Sequence, residues 1–304
     1  MKILVTGGAG FIGSHVTKQL LDQSHGVVVY DNLSRGFKKL VDERAEFVLG
    51  DLSEKEKLTE ALKNIDAIIH MAALIIVPES VEKPDLYWEN NVVGSKILLE
   101  AMREAGVKKL IFSSSACVYG EPDKLPITEE SVIKKAANPY GQTKIEMEKL
   151  IEKEHENSGL NAVILRYFNP YGPNELHSPE THAIPNFILS TLNRKPIPLY
   201  WNGEQIRDFI YVEDLASAHT AVLSLGGLNI FNVGTGFGTK VIDVVKKIFE
   251  IVGYSVPIKN LGERVGDAPS LYTAAEKIKN AISWQSKTTL DQGLEKTIKF
   301  FKTF

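Results

Sequence analysis

The 304-residue sequence has one cysteine, Cys117, so no disulfide can form within the chain, and the expected compartment is a reducing one, the cytoplasm. No apolar run approaches the roughly 20 residues that span a bilayer, so no transmembrane helix is expected. The first residues, Met1-Lys2-Ile3-Leu4-Val5-Thr6-Gly7-Gly8, carry too short an apolar stretch for a secretion signal. Neither sign of charge is in excess. Thirty-five Lys+Arg against 38 Asp+Glu leave a net charge of −3, which argues against binding nucleic acid or an anionic membrane by bulk electrostatics. Arginine is scarce, seven residues among the 35 basic ones. The seven histidines are scattered, with no H-x-x-x-H pair and no Cys/His cluster, so no metal site is expected. Internal repeats and low-complexity tracts are missing too. What remains, 43% hydrophobic and 24% charged residues, is the composition of an ordinary globular chain with a sizeable core.

The first half alternates strand and helix signals. Apolar runs at Lys2–Thr6, Val27–Tyr30, Glu46–Leu49, Ala67–His70, Leu110–Phe112 and Ala162–Leu165 do not alternate with polar residues. Such strands are buried on both faces, which predicts a parallel sheet covered by helices. Helical stretches are expected near Ile12–Gln23, Glu54–Asn64, Asp85–Ala105 and Tyr140–Asn157. The fold class is therefore α/β, a doubly wound Rossmann-type parallel sheet with a smaller mixed α/β lobe. The expected division is 1–166 for the nucleotide domain and 167–304 for the second lobe, and 205–235 is a candidate to return a strand to the first sheet.

Gly7-Gly8-Ala9-Gly10-Phe11-Ile12-Gly13 follows the first strand and opens the first helix. Gly7, Gly10 and Gly13 allow a tight turn and close approach to a pyrophosphate, and the helix N-terminus supplies N–H donors. Asp31, ending the second strand, is placed to accept from the adenosine ribose hydroxyls, which favours NAD over NADP. Arg35 nearby pulls the other way, because an arginine there can take a ribose 2′-phosphate. Asp51 after the third strand reads equally well as an adenine contact and as a helix-start residue.

Tyr140 and Lys144 are four residues apart on an expected helix, so they share a face. An ammonium beside a phenol lowers the phenol's pKa from about 10, fitting it to act as a general base. Ser113-Ser114-Ser115-Ala116-Cys117-Val118-Tyr119-Gly120 follows the fifth strand, at the carboxyl edge where open α/β sheets bind ligands. Three serines there also suit turn chemistry.

These landmarks, with His70-Met71-Ala72-Ala73, Asn90-Asn91-Val92-Val93-Gly94, Tyr140-Gly141-Gln142-Thr143-Lys144, Arg166-Tyr167-Phe168-Asn169-Pro170, Arg207-Asp208-Phe209-Ile210 and Arg264-Val265-Gly266-Asp267, resemble the extended short-chain dehydrogenase/reductase family over essentially the whole chain. Within it the pattern is similar to the branch that epimerises UDP-hexoses at C4. The resemblance implies an NAD site lined by Phe11, Ile12, Asp31, Asn32, Leu33, Ser34, Arg35, Gly36, Asp51, Leu52, Met71, Ala72, Ala73, Asn90, Ser113 and Phe168, with Tyr140 and Lys144 reaching the cofactor. It implies Ser115, Tyr140 and Lys144 as the catalytic set. It implies Asn169, Arg207, Arg264 and Asp267 for the nucleotide half of a UDP-sugar, with His182 and Ala183 where relatives have Asn-Leu. Leu271 falls where the sugar 2-substituent is gated, and its size implies that N-acetylated sugars fit. Phe209 stands where Tyr is common and Ile75 where Lys often reaches the cofactor.

Sugar dehydratases of the family carry an Asp-Glu pair after the catalytic serine or threonine, and decarboxylases a Glu in the second place. This chain has Ala116 and Cys117 there, which points to epimerisation, with a uronate or pentose epimerase and a non-catalytic NAD-binding regulator as the alternatives. The resemblance also implies a homodimer built on two helices per subunit, here Asp85–Ala105 and Tyr140–Asn157. The second helix offers Lys144, Glu148, Glu152 and Lys153 as a face that reads equally well as solvated.

Overall fold

The computed structural model describes residues 1–134, 136–176, 182–263 and 268–303. They fall into two compact units, the first comprising Met1–Gly120, Val132–Tyr167 and Ala216–Phe231. Six strands of the first unit are β1 (Lys2–Thr6), β2 (Gly26–Asp31), β3 (Glu46–Leu49), β4 (Ala67–His70), β5 (Lys109–Ser115) and β6 (Asn161–Tyr167). Every register among them is parallel. The sheet order is β3-β2-β1-β4-β5-β6, with the later strand Leu228–Val233 added beside β6. Ile3, Leu4, Val5, Ile68, Ile69 and Ile111 are fully buried, as consecutive apolar residues require when both faces of a sheet are covered.

The covering helices are α1 (Phe11–Asp22), α2 (Lys55–Ala61), α3 (Val77–Glu82), α4 (Pro84–Tyr87), α5 (Gly94–Ala105) and α6 (Pro139–Ser158). Leu58, Leu98, Met102, Met147 and Ile151 from α2, α5 and α6 form one core with Leu4, Ile68, Leu110 and Ile164 from the sheet. Asn138 caps α6 by accepting from Gly141 N at 2.9 Å, and Pro139 follows at the first helical position. Strand order reverses between β1 and β4, because β1 pairs with β2 on one side and with β4 on the other. That switch point opens the crevice where ligands of such sheets bind.

The expected single helix over 85–105 is corrected. It is interrupted by a π-helical turn, Trp88–Val93, between α4 and α5. Within this turn the side-chain amide of Asn91 is fully buried and bonded outside the helix. Its Oδ1 accepts from Leu74 N at 2.8 Å, and its Nδ2 donates to Leu74 O at 3.0 Å and to Thr143 Oγ1 at 3.1 Å.

The second unit comprises Glu121–Ser131, Phe168–Leu215 and Asn232–Phe304, so the chain is not divided by a single cut near residue 167. It holds β7 (Asn169–Tyr171), α7 (Ala183–Leu192), β8 (Ile197–Leu199), β9 (Ile206–Arg207) and β10 (Phe209–Tyr211). After α8 (Val212–Ala221) and β11 (Leu228–Val233, the seventh strand of the large sheet) come β12 (Thr239–Lys240), α9 (Val241–Val252), β13 (Ile258–Asn260), β14 (Ser270–Leu271), α10 (Glu276–Ile282) and α11 (Leu290–Thr303). Phe187, Ile188, Val244, Val245, Ile248, Leu294 and Ile298 make its core. Glu121–Ser131 belongs here because Ile127 N donates to Tyr272 O at 2.9 Å and Ile127 O accepts from Ala274 N at 3.0 Å.

Candidate active site

The turn after β1 shows why glycine is needed. A Cβ on Gly7, whose φ is +72°, would lie 2.7 Å from Ala72 N, and one on Gly13 would lie 2.2 Å from Gly7 O. The backbone of the turn is thus pressed against the segment after β4 and against the first turn of α1. Gly10 caps α1 without a side-chain acceptor, which leaves that helix start to N–H groups. Such a cradle fits a pyrophosphate. Phe11 and Leu52 are buried, and Ile12 is partly so.

Asp31, 7% exposed, accepts from Ala9 N at 3.0 Å and Leu33 N at 2.8 Å. Burial pushes its carboxyl up from the usual value while those two N–H groups pull it down. Leu33 sits at φ +58°, and Ser34 N closes the next turn onto Asn32 Oδ1 at 2.9 Å. Asn32 Nδ2 reaches Asp51 Oδ2 at 2.6 Å. Asp51 Oδ1 accepts from Ser53 N at 2.9 Å and Ser53 Oγ at 2.7 Å in a turn ahead of α2, which begins at Lys55 with Glu54 as its N-cap, and the second oxygen faces Asn32. Arg35 Nη2 is 2.7 Å from both oxygens of Glu79, and Gly36 packs against Ala9.

Behind Met71, Ala72 and Ala73 stands a buried histidine that sequence reasoning passed over. Ser95 Oγ donates to Asn91 O at 2.5 Å, so it accepts from His70 Nε2–H at 2.8 Å. His70 Nδ1 then accepts from Thr6 Oγ1 at 2.7 Å, and Thr6 Oγ1 in turn accepts from Met71 N at 3.1 Å and Ala72 N at 3.2 Å. Every polar atom is satisfied by the neutral ring, and burial lowers the His70 pKa to about 3. Asn90 Nδ2 donates to Asn91 Oδ1 at 2.9 Å, in the π-helical turn.

At the end of β5, Ser115 Oγ accepts from Cys117 N at 3.2 Å and hydrogen-bonds the Tyr140 phenol. Tyr140 packs with Leu74, Tyr87 and Cys117. Lys144 is 2% exposed and donates to Ser113 O at 2.7 Å, with its Nζ 5.9 Å from the Tyr140 ring centre. Ser115, Tyr140 and Lys144 are therefore brought together, but the electrostatic expectation is corrected. Burial pushes the Tyr140 phenol above its usual value, the Cys117 thiol adds to this, and the Ser115 hydrogen bond only partly opposes it. Burial pushes the Lys144 ammonium down to about 7. Both groups have lost water, and desolvation disfavours whichever form carries charge.

The solvated reading of Lys144 and Glu148 is corrected as well. Glu148 is 2% exposed and pairs with Arg166 on β6, Arg166 Nε to Oε1 at 3.0 Å and Nη2 to Oε2 at 2.6 Å. Arg166 Nη1 also donates to Tyr119 OH at 2.9 Å, and Ser114 Oγ donates to Glu148. A charged residue at the end of the apolar run Ala162–Leu165 was the available signal, since a buried charge demands a partner.

In the second unit, Phe168 is buried and its N–H donates to Val233 O at 3.1 Å. Asp208 ties three of the expected substrate residues together. Its O accepts from Asn169 N at 2.9 Å, its N donates to Leu271 O at 3.2 Å, and Arg207 stands beside it. Its carboxylate accepts from Thr235 N at 2.8 Å and Gly236 N at 3.1 Å. Arg207 is 8% exposed and pairs in register with Leu271. Asn169 Oδ1 is buried without a partner. His182 Nδ1 meets Glu175 Oε1 at 2.5 Å, and Ala183 opens α7. Arg264 and Asp267 lie outside the described residues. Among the described residues no group of His, Cys, Asp and Glu could hold a metal ion, and no helix is long and apolar enough to cross a membrane.

A seven-stranded doubly wound sheet with a glycine turn at its switch point and a Ser-Tyr-Lys set one strand away defines a class of nucleotide-dependent enzymes. The model of the NAD dependent epimerase/dehydratase family matches residues 3–234, and the chain belongs to that family. It is similar to UDP-glucose 4-epimerase of Lactobacillus helveticus, 38% identical over 94% of this chain and 92% of that protein. The solved structure of UDP-glucose 4-epimerase from Thermotoga maritima with UDP-glucose superposes with a TM-score of 0.96 at 35% identity, covering 100% of this chain and 99% of that one. UDP-glucose 4-epimerase from Brucella ovis in complex with NAD superposes at 0.94 with 38% identity, covering 99% and 98%.

Proposed function

We infer that the chain is an isomerase, an NAD-dependent UDP-hexose 4-epimerase that interconverts UDP-glucose and UDP-galactose. The observation that carries this is the Tyr140 phenol hydrogen-bonded to Ser115, backed by buried Lys144, with Ala116 and Cys117 where a dehydratase has acids. NAD, when bound, supplies a hydride acceptor and donor for sugar C4 and, oxidised, a positive charge that favours phenolate. The glycine turn holds the pyrophosphate on its N–H groups, and Asp31 accepts from the adenosine ribose. Asn32 and Asp51 stand at the adenine end, and Met71, Ala72, Ala73 and Asn90 line the wall, with Ser113 and Phe168 completing it.

Tyr140 takes the proton of the sugar 4-hydroxyl and later returns it to the same oxygen on the other face. Ser115 donates to that oxygen while its bond order changes. Lys144, fixed by Ser113 O, reaches the nicotinamide ribose and supplies the charge that favours Tyr140 phenolate when it is protonated. Asn169, Arg207, Arg264 and Asp267 hold the nucleotide half, with His182 and Ala183 beside it, and the few arginines provide the fixed positive charge that a diphosphate needs. Leu271 leaves space at the sugar 2-position, so N-acetylated UDP-hexoses are substrates too.

The protein acts as a homodimer through 85–105 and 140–157, a reading supported by Leu86 and Trp88, 45% and 43% exposed on the first stretch. It works in the cytoplasm, where the Cys117 thiol beside Tyr140 stays reduced.

The test is incubation with UDP-glucose, UDP-galactose, UDP-N-acetylglucosamine and UDP-glucuronate, with products resolved by NMR. Interconversion of the first two is expected, and a loss of water or carbon dioxide from any of them would overturn the reading. Tyr140→Phe is expected to lower kcat by about a hundredfold or more while cofactor remains bound. Near-normal turnover would remove Tyr140 as the base.

A further inference from the structure

The segment Asp31–Gly36 after β2 contains one acid and one base, Asp31 and Arg35. An arginine in this place can accept a ribose 2′-phosphate. Here its guanidinium is already engaged. Arg35 Nη2 lies 2.7 Å from both Oε1 and Oε2 of Glu79, a residue of α3 that is 44 positions away in the chain. Glu79 is itself held in place. It accepts from Tyr87 OH at 3.1 Å, has Lys83 Nζ at 3.6 Å, and its side chain is 17% exposed against 40% for Arg35. Burial raises the Glu79 pKa, but the Arg35 and Tyr87 hydrogen bonds outweigh this, so it is ionised at neutral pH.

We propose that Glu79 is a specificity-determining residue for the cofactor, engaging Arg35 so that the site takes a dinucleotide with a free ribose 2′-hydroxyl and rejects one with a 2′-phosphate. The proposal rests on the NAD reading above. A 2′-phosphate has to draw Arg35 away from Glu79, which strips a mostly buried carboxylate of its principal cation. It meets Asp31 at the same time. Discrimination is therefore shared by two carboxylates, one in the motif after β2 and one delivered by the fold.

Glu79→Gln keeps the shape and the Tyr87 contact and withdraws the charge. The full chain, stripped of nucleotide, is titrated with NADH and with NADPH by nicotinamide fluorescence, and nucleotide extracted from the purified proteins is quantified by mass spectrometry. Glu79→Gln is expected to move the NADPH:NADH affinity ratio about tenfold toward NADPH, the scale of one charge-assisted hydrogen bond to phosphate. Adding Arg35→Ala is expected to abolish that gain. An unchanged ratio in a Glu79→Gln protein that binds NADH, or a gain that survives Arg35→Ala, overturns the proposal. A parent protein that binds NADH and NADPH equally overturns this proposal alone, and one that binds neither overturns the cofactor reading along with it.

Discussion

Lys144 is a buried amine whose charge burial disfavours, and removing it sets stability against function. Its ammonium is 2% exposed and its pKa is lowered to about 7 by burial, against about 10.5 in an unfolded chain. Between those values the unfolded state binds the proton and the folded state does not, so folding stability rises with pH from 7 to 10.5. Well below pH 7 the penalty is complete at about 5 kcal/mol, at 1.36 kcal/mol per pKa unit, and at pH 7, where the folded-state group is half protonated, it is about 4 kcal/mol. The hydrogen bond to Ser113 O, worth about 1 kcal/mol, is lost with the side chain. Lys144→Met should therefore stabilise the cofactor-free protein by about 3 kcal/mol at pH 7, a rise of roughly 5 °C in Tm for a chain of this size. The advantage should shrink by most of that amount at pH 10. Turnover should fall by orders of magnitude. The assay is urea denaturation at pH 6, 7, 8, 9 and 10 on both proteins stripped of nucleotide, so that ligand linkage does not contribute. A Lys144→Met protein less stable than its parent at pH 7, or a difference independent of pH, refutes the burial argument.

Glu148→Ala leaves Arg166 charged and buried with Tyr119 OH, and should cost about 3–5 kcal/mol, most of it recovered in the Glu148→Ala, Arg166→Met pair, as denaturant midpoints will show. Sedimentation at micromolar concentration should give a dimer, and Leu86→Glu with Trp88→Glu should shift it to a monomer without unfolding it.

Parallel strands were legible because burial on both faces leaves consecutive apolar residues, as at Ile3-Leu4-Val5 and Ile68-Ile69. The glycine turn and the Tyr140–Lys144 pair were legible because their chemistry is local: a turn, and one helical turn of spacing. What stayed hidden depends on partners distant in sequence. The spacing of Lys144 and Glu148 reads as one face, but only Ser113, Ser114 and Arg166 decide that this face is inside. The π-helical turn at Trp88–Val93 carries Asn91, whose partners Leu74 and Thr143 are not near it in the chain. The tyrosine's acidity is not legible in the sequence for the same reason, since helical spacing conveys proximity to a lysine but not the exclusion of water from both groups.

Histidine is the side chain most often used to sense pH, yet His70 is arranged to be indifferent to it. With its pKa near 3 and both ring nitrogens engaged, it does not change state anywhere a cell operates. The hydroxyl of Thr6 is thereby committed to one direction of donation, and the N–H groups of Met71 and Ala72 to one acceptor. The hydrogen bonds of the wall facing the glycine turn thus keep one direction across acidification or alkalinisation around neutral pH. The pKa that burial brings into the neutral range belongs instead to Lys144, at the end of the sheet where it meets Ser113.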